Sequence, residues 1–172
     1  WNKTYNLTGI TDEQDIITHH LLDCLSVTKF VSAKNIMDVG SGAGLPGLIL
    51  ALCFPDRKIT MVDKVGKKTA FIQQVIGEFN LNNARVLNGR VEDIKNYKHY
   101  DGIISRAFAD METMIKLTSH LLLDGANWYG MKSKKSRDSE MITMKYSYHV
   151  DKIDVPHLRA ERYLITVVNA TN

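Results

Sequence analysis

Apolar positions along this chain follow two periods, and their alternation predicts the architecture. Ile36 and Val39 have strand character, and Leu48, Ile49, Leu50, Ala51 and Leu52 behind them have helix character. Residues 57–63, Arg-Lys-Ile-Thr-Met-Val-Asp, predict a second strand, and 67–79 an amphipathic helix turning Phe71, Ile72, Val75, Ile76 and Phe79 to the core. The same reading places strands at 84–87, 101–105 and 126–132, a helix at 111–123, and two closing strands at 147–153 and 162–168 paired as an antiparallel hairpin. Upstream, Thr11 reads as the N-cap of a helix bearing Ile16, Ile17, Leu21, Leu22 and Leu25. Strands alternating with helices imply an α/β fold with a mostly parallel seven-stranded sheet and helices on both faces. Residues 1–172 then make one domain, with a helical part over 1–30 and a sheet core over 34–172.

Between the first strand and its helix lie residues 38–47, Asp-Val-Gly-Ser-Gly-Ala-Gly-Leu-Pro-Gly. Glycine there accepts positive φ and lets a ligand approach the backbone. Gly42, Gly44 and Gly47 alone satisfy the dinucleotide pattern G-x-G-x-x-G, so spacing does not choose between cofactors. Asp38, two residues before Gly40, does choose: an acid beneath the loop suits a cationic amino-acid ligand and repels a pyrophosphate. S-adenosyl-L-methionine is expected over NAD, with a purely structural turn as the bland alternative. Asp63 ends the second strand about twenty residues past the loop, where a carboxylate accepts ribose hydroxyls. The turn 88–93, Asn-Gly-Arg-Val-Glu-Asp, is placed beside the adenine.

Composition narrows the setting. At 172 residues the chain is long enough for one full core, and its net charge of +3 announces no global basic field. Cys24 and Cys53 lack metal-ligand spacing, so no metal is expected, and two free thiols suit a reducing, cytoplasmic compartment. Cys53, in the helix behind the loop, reads as core. No apolar run approaches the ~18 residues of a membrane span. Trp1 is not an initiator, so a preceding segment is expected.

Charge and aromatics matter locally. Lys132, Lys134, Lys135 and Arg137 follow the fifth strand on the ligand side of the sheet, which leaves phosphate contact and plain solvation both open. Lys64, Lys67 and Lys68 crowd the start of a helix, against its dipole, and read as a solvated face. Residues 1–8, including Lys3 and Asn6, offer groups for stacking and phosphate binding or for packing, and the residue types do not decide between these. His19, His20 and Asp23 share a helix and read as structural.

Several segments together resemble one family. Asn-Lys-Thr-Tyr-Asn-Leu-Thr at 2–8, His20 with Leu22-Asp23, the loop 38–47, Gly-Arg-Val-Glu at 89–92, Ser-Arg-Ala-Phe-Ala at 105–109 and Glu161-Arg162 are similar to the RsmG family, also called glucose-inhibited division protein B. The resemblance runs in order along nearly the whole chain. It implies a class I methyltransferase with a Rossmann-like fold and an N-terminal helical extension lying mostly before Trp1. It further implies methylation of the seven-position nitrogen of a guanine in 16S ribosomal RNA, free or in a small-subunit particle; a monomer without membrane contact is expected. Gly40, Leu45, Val91, Glu92 and Arg106 are the cofactor contacts it implies. This chain departs from the family pattern at Ser133, where glycine is common, and at Cys24, where Ser or Thr is usual.

The residues after the fourth strand agree with that acceptor. They include no Asn-Pro-Pro-Tyr turn for exocyclic amines and no cysteine for attack on a pyrimidine ring. A ring nitrogen with a free lone pair needs neither, so alignment is the main requirement. Arg106 stays protonated and therefore orients a cofactor carboxylate or a phosphate, with no general base expected. Phe108 stacks on the guanine or fills the core, and both readings stand. The rivals are a methyltransferase with a small-molecule or protein substrate and a nucleotide-binding module without catalysis.

Overall fold

The computed structural model describes residues 1–95, 97–133 and 146–169. Their strands are β1 (Asn35–Val39), β2 (Lys58–Asp63), β3 (Ala84–Asn88), β4 (Tyr100–Arg106), β5 (Leu122–Lys132), β6 (Tyr148–Ile153) and β7 (Arg162–Val168). They form one sheet in the order β3-β2-β1-β4-β5-β7-β6. The first five run parallel, while β7 pairs antiparallel with both β5 and β6, as the closing hairpin requires.

Successive side chains alternate across the sheet, so each strand feeds two cores. Ile36, Ile59, Met61, Ile104, Tyr129 and Leu164 face one layer, with α4 (Gly47–Cys53) and α5 (Gly66–Glu78) packed on it. Met37, Val62, Ile103, Trp128, Ile165 and Val167 face the other, covered by α6 (Met111–Thr118). Cover on both faces explains why β1, β2 and β4 are buried along most of their length.

Three element boundaries differ from expectation. The helix expected over 111–123 stops at Thr118, whose hydroxyl donates to the Met114 carbonyl and accepts from Trp128 Nε1 at 2.9 Å. Leu122 instead pairs with Tyr100, so β5 begins four residues earlier than its pattern suggested. A short apolar run fits either element until a neighbouring strand claims it. The upstream helix is capped by Asp12, not Thr11, through a bond from the Asp15 amide at 3.0 Å.

That helix is also not uniform. It runs from α2 (Glu13–Ile16) through a π-helical stretch (Ile17–Leu22) into α3 (Asp23–Ser26), after α1 (Asn2–Tyr5) and before a 3-10 turn at Thr28–Phe30. The wider π turns shift the side-chain faces, so Thr18, Asp23 and Cys24 are buried while Ile17, Leu21 and Leu25 are exposed. Two residues expected in the core lie outside it. Phe79 is the C-cap of α5 and is 58% exposed, and Cys53, the last residue of α4, is exposed. No described helix is long and apolar enough to cross a membrane.

Candidate functional site

The sheet order reverses between β1 and β4, and in an open α/β sheet that switch point leaves a crevice at the strands' carboxyl ends. The β1 loop enters it. Gly40, Gly42 and Gly44 hold φ of +67°, +58° and +82°. At Gly40 space is limiting as well as φ, since a Cβ there would lie 2.5 Å from Cδ2 of Phe108. The loop is pinned to β2: the Gly40 and Ser41 amides donate to the Val62 carbonyl, and the Ser41 hydroxyl accepts from the Val62 amide at 3.2 Å.

Two carboxylates hold this loop from below and from the side. Asp38 is fully buried; its Oδ2 accepts from the Gly47 amide at 2.9 Å, and its Oδ1 has no partner among the described residues. Burial pushes its pKa up to about 7, against the opposing pull of the Gly47 amide, Ser41 and Arg106. Asp63 accepts from the Gly42 amide through Oδ2 and from the Val65 amide through Oδ1, each at 2.9 Å. Each of its oxygens keeps a lone pair for another donor.

Two cavities open on either side of Gly40. One of about 360 Å³ is lined by Asp63, Val65, Val91, Glu92 and Phe108. Its Glu92 carboxylate is held below the usual range, first by its own backbone N–H and further by Arg90. The other, of about 500 Å³, is lined by Thr8, His20, Asp23, Leu45, Arg106 and Arg162 among others. Gly40, Lys68 and Ala107 line both, so the cavities adjoin.

Distant parts of the chain meet in the larger cavity. Arg106 Nη1, from the end of β4, donates to the His19 carbonyl at 3.2 Å and lies 3.2 Å from His20 Nδ1 and 3.5 Å from Asp23 Oδ2. Asp23 Oδ1 accepts from Arg162 Nε at 3.0 Å, which ties α3 to the start of β7. The π-helical stretch is what turns the His19 carbonyl and the His20 ring toward Arg106. Burial, then the Arg106 charge, holds the His20 pKa below its ordinary value.

The residues singled out by sequence divide into three groups. Gly40, Gly42, Leu45, Asp63, Val91, Glu92, Arg106, Phe108 and Lys132 line one cavity or both, and Asp38 and Gly44 support the loop from behind. Phe108 packs against the Gly40 backbone on the Asp63 side, and Lys132 Nζ donates to the Ala109 carbonyl at 2.8 Å. Lys3 and Asn6 line neither cavity; Leu7, Thr8 and Ile10 of the same segment line the larger one. Lys134, Lys135 and Arg137 lie outside the described residues. His20, Asp23, Lys68 and Arg162 are cavity residues that sequence reading classed as structural or solvated, or passed over as roles. The family motifs hinted at His20, Asp23 and Arg162, and no motif hinted at Lys68. The described residues contain no cluster of three or more His, Cys, Asp or Glu able to hold a metal.

S-adenosylmethionine fits these residues on their own chemistry. A backbone cradle without side chains adjoins a carboxylate with spare lone pairs, above a buried acid whose second oxygen is unsatisfied. Solved structures share this fold. A tRNA (m1A58) methyltransferase from Aquifex aeolicus superposes with a TM-score of 0.71 at 15% identity, over 96% of this chain and 74% of that one. A predicted O-methyltransferase from Agrobacterium tumefaciens gives 0.71 at 18% identity, over 87% and 82%. By sequence, the ribosomal RNA small subunit methyltransferase G of Neisseria meningitidis serogroup C is 45% identical over 168 residues, 95% of this chain and 80% of that protein. That of Hydrogenovibrio crunogenus is 41% identical over 169 residues, 97% and 78%. The family model described as GidB, rRNA small subunit methyltransferase G, matches residues 1–165, and the chain belongs to that family.

Proposed function

We propose that this protein transfers a methyl group from S-adenosylmethionine to the seven-position nitrogen of a guanine in small-subunit ribosomal RNA. The observation that carries this reading is the pair of adjoining cavities at the switch point, one carrying Asp63 and the other Arg106, in a chain of the GidB family. The bound cofactor supplies an electrophilic methyl group on a sulfonium. The chain's own residues bind, align and exclude water.

Asp63 takes the ribose hydroxyls on its spare lone pairs, with Val91 and Glu92 beside the adenine and Gly40, Gly42, Gly44 and Leu45 shaping the backbone cradle. Asp38 holds the loop through Gly47, and a cationic ligand above it draws this buried acid, whose pKa is pushed up to about 7, toward its charged form. Arg106 remains a cation at every relevant pH, so it orients a carboxylate or a phosphate and moves no proton. The guanine enters from the larger cavity, whose wall of Arg106, Lys132 and Arg162 suits an RNA phosphate. Lys134, Lys135 and Arg137 follow Lys132 closely in sequence and add positive charge to this stretch of the chain. The chemistry asks for no base, because the accepting nitrogen already carries its lone pair.

The test is direct. Purified protein, S-adenosylmethionine and small-subunit rRNA or particles lacking the modification are incubated, and the RNA is digested for nucleoside mass spectrometry. 7-Methylguanosine at one position is the expected product. A different methylated nucleoside, or transfer only to protein or small molecules, would replace this reading.

A further inference from the structure

We propose that Thr8 tells guanine from adenine, by donating its hydroxyl hydrogen to the six-position carbonyl oxygen of the target base. The inference rests on the guanine-methylation reading and follows from the direction of three hydrogen bonds. Arg106 Nη1 has hydrogens and no lone pair, yet it lies 3.2 Å from His20 Nδ1. Nδ1 must therefore present its lone pair, since an N–H there would face another N–H.

Nδ1 also lies 3.1 Å from the His19 carbonyl, which would suit the opposite tautomer. Arg106 settles the choice. Its Nη1 is 3.2 Å from that same carbonyl and carries two hydrogens, which go to these two acceptors, because Asp23 Oδ2 at 3.5 Å is an ion-pair contact beyond ordinary hydrogen-bond length. With no hydrogen on Nδ1 the ring carries its one hydrogen on Nε2, and burial and the Arg106 charge, which lower its pKa, favour this neutral form. Nε2 is 2.6 Å from the Thr8 hydroxyl oxygen, and His20 is the donor there.

The Thr8 oxygen also accepts from the Ile10 amide at 3.2 Å. A hydroxyl has two lone pairs and one hydrogen, so both lone pairs are now taken. Its hydrogen has no acceptor among the described residues, and Thr8 lines the larger cavity. An ordinary threonine could reverse its role to suit either base. This one is locked as a donor by a relay that begins at the permanent charge of Arg106.

The two purines differ at the position this donor reads. Guanine presents a carbonyl acceptor beside its seven-position nitrogen, and adenine presents an amino donor there. A locked donor pairs with the first and confronts the second, leaving the seven-position lone pair free for the methyl group. His20 is the positioning residue that keeps the relay aligned.

Single-turnover methyl transfer tests this with rRNA fragments bearing guanine, inosine or 2-aminopurine at the position that mass spectrometry identifies. Inosine keeps the six-position carbonyl, and 2-aminopurine lacks it while keeping the seven-position nitrogen. The parent should treat guanine and inosine alike and methylate 2-aminopurine about 10- to 100-fold more slowly, the effect of one lost hydrogen bond. Thr8→Val, which keeps the shape, should slow guanine to the 2-aminopurine rate and bring their ratio near one. Thr8→Ser should restore the ratio, with cofactor affinity unchanged in both variants. A parent that does not distinguish the two bases overturns the proposal, as does a Thr8→Val enzyme with the parent's ratio. Absence of transfer to guanine RNA by the parent overturns the methylation reading itself, and this proposal with it.

Discussion

Asp38 shows how much one side chain can carry without touching solvent. It is fully buried, it accepts one amide from the turn into α4, and its other oxygen has no partner among the described residues. An acid whose pKa rises from 3.8 to about 7 on folding is held protonated by the native state over a range where the unfolded chain has released its proton. Native structure then binds the extra proton, so the contribution of Asp38 to stability is greatest below about pH 4, falls as pH rises toward 7, and levels off above it. Asp38→Asn keeps an acceptor for Gly47 and removes the titration. Urea denaturation of parent and variant at several pH values should give curves that diverge across this window by a few kcal/mol, with the parent the less stable near neutrality. Parallel curves would mean that Asp38 keeps its ordinary pKa.

At the scale of elements, the ends of helices are decided by single polar groups. Asp110 caps α6 by accepting from the Thr113 amide at 2.7 Å and from the Thr113 hydroxyl at 2.8 Å, and the same contacts hold its carboxyl below the usual range. The cap follows Phe108 by two residues, so it also fixes how the loop after β4 meets the cofactor cavity. Asp110→Ala should cost about 1 kcal/mol of stability, the usual value of an N-cap. The thermal midpoint would fall by a few degrees, and a variant melting with the parent would show that Thr113 finds another partner. The π-helical stretch before α3 has the complementary part. It gives up regular α hydrogen bonding in order to aim the His19 carbonyl and the His20 ring at Arg106.

At the scale of the molecule, Asp23 joins three segments that sequence keeps far apart. It lies between Arg106 at the end of β4 and Arg162 at the start of β7, 83 and 139 residues away. The carboxylate side chain is 6% exposed, and the two guanidiniums are 22% and 17% exposed. Removing the acid would leave two neighbouring cations without their counter-charge. Asp23→Ala should therefore destabilise the fold by about 3 kcal/mol, the lower end for a broken buried pair because both arginines retain some water. Restoring the charge with Glu should recover part of this. A neutral result in denaturant titration would show that the N-terminal helices dock through apolar contacts alone.

The order of strands and helices and the glycine loop were legible in the sequence because each depends on local spacing, and the family was legible through the resemblance of its motifs. Residues 36–39, the Asp38 to Gly47 run and Asp63 declare themselves through period and turn chemistry, whatever lies beyond them. Sequence also named Arg106, though only through a motif. What tertiary structure alone decided is who meets whom. The boundary between α6 and β5 depended on Tyr100 pairing with Leu122, and Phe108 took its place against Gly40. Thr8, His20, Asp23 and Arg162 became one hydrogen-bonded wall with Arg106 because the N-terminal helices, β4 and β7 converge on a single crevice. Such contacts join residues with no common period, and the direction of each hydrogen bond follows from neighbours that only the folded chain supplies.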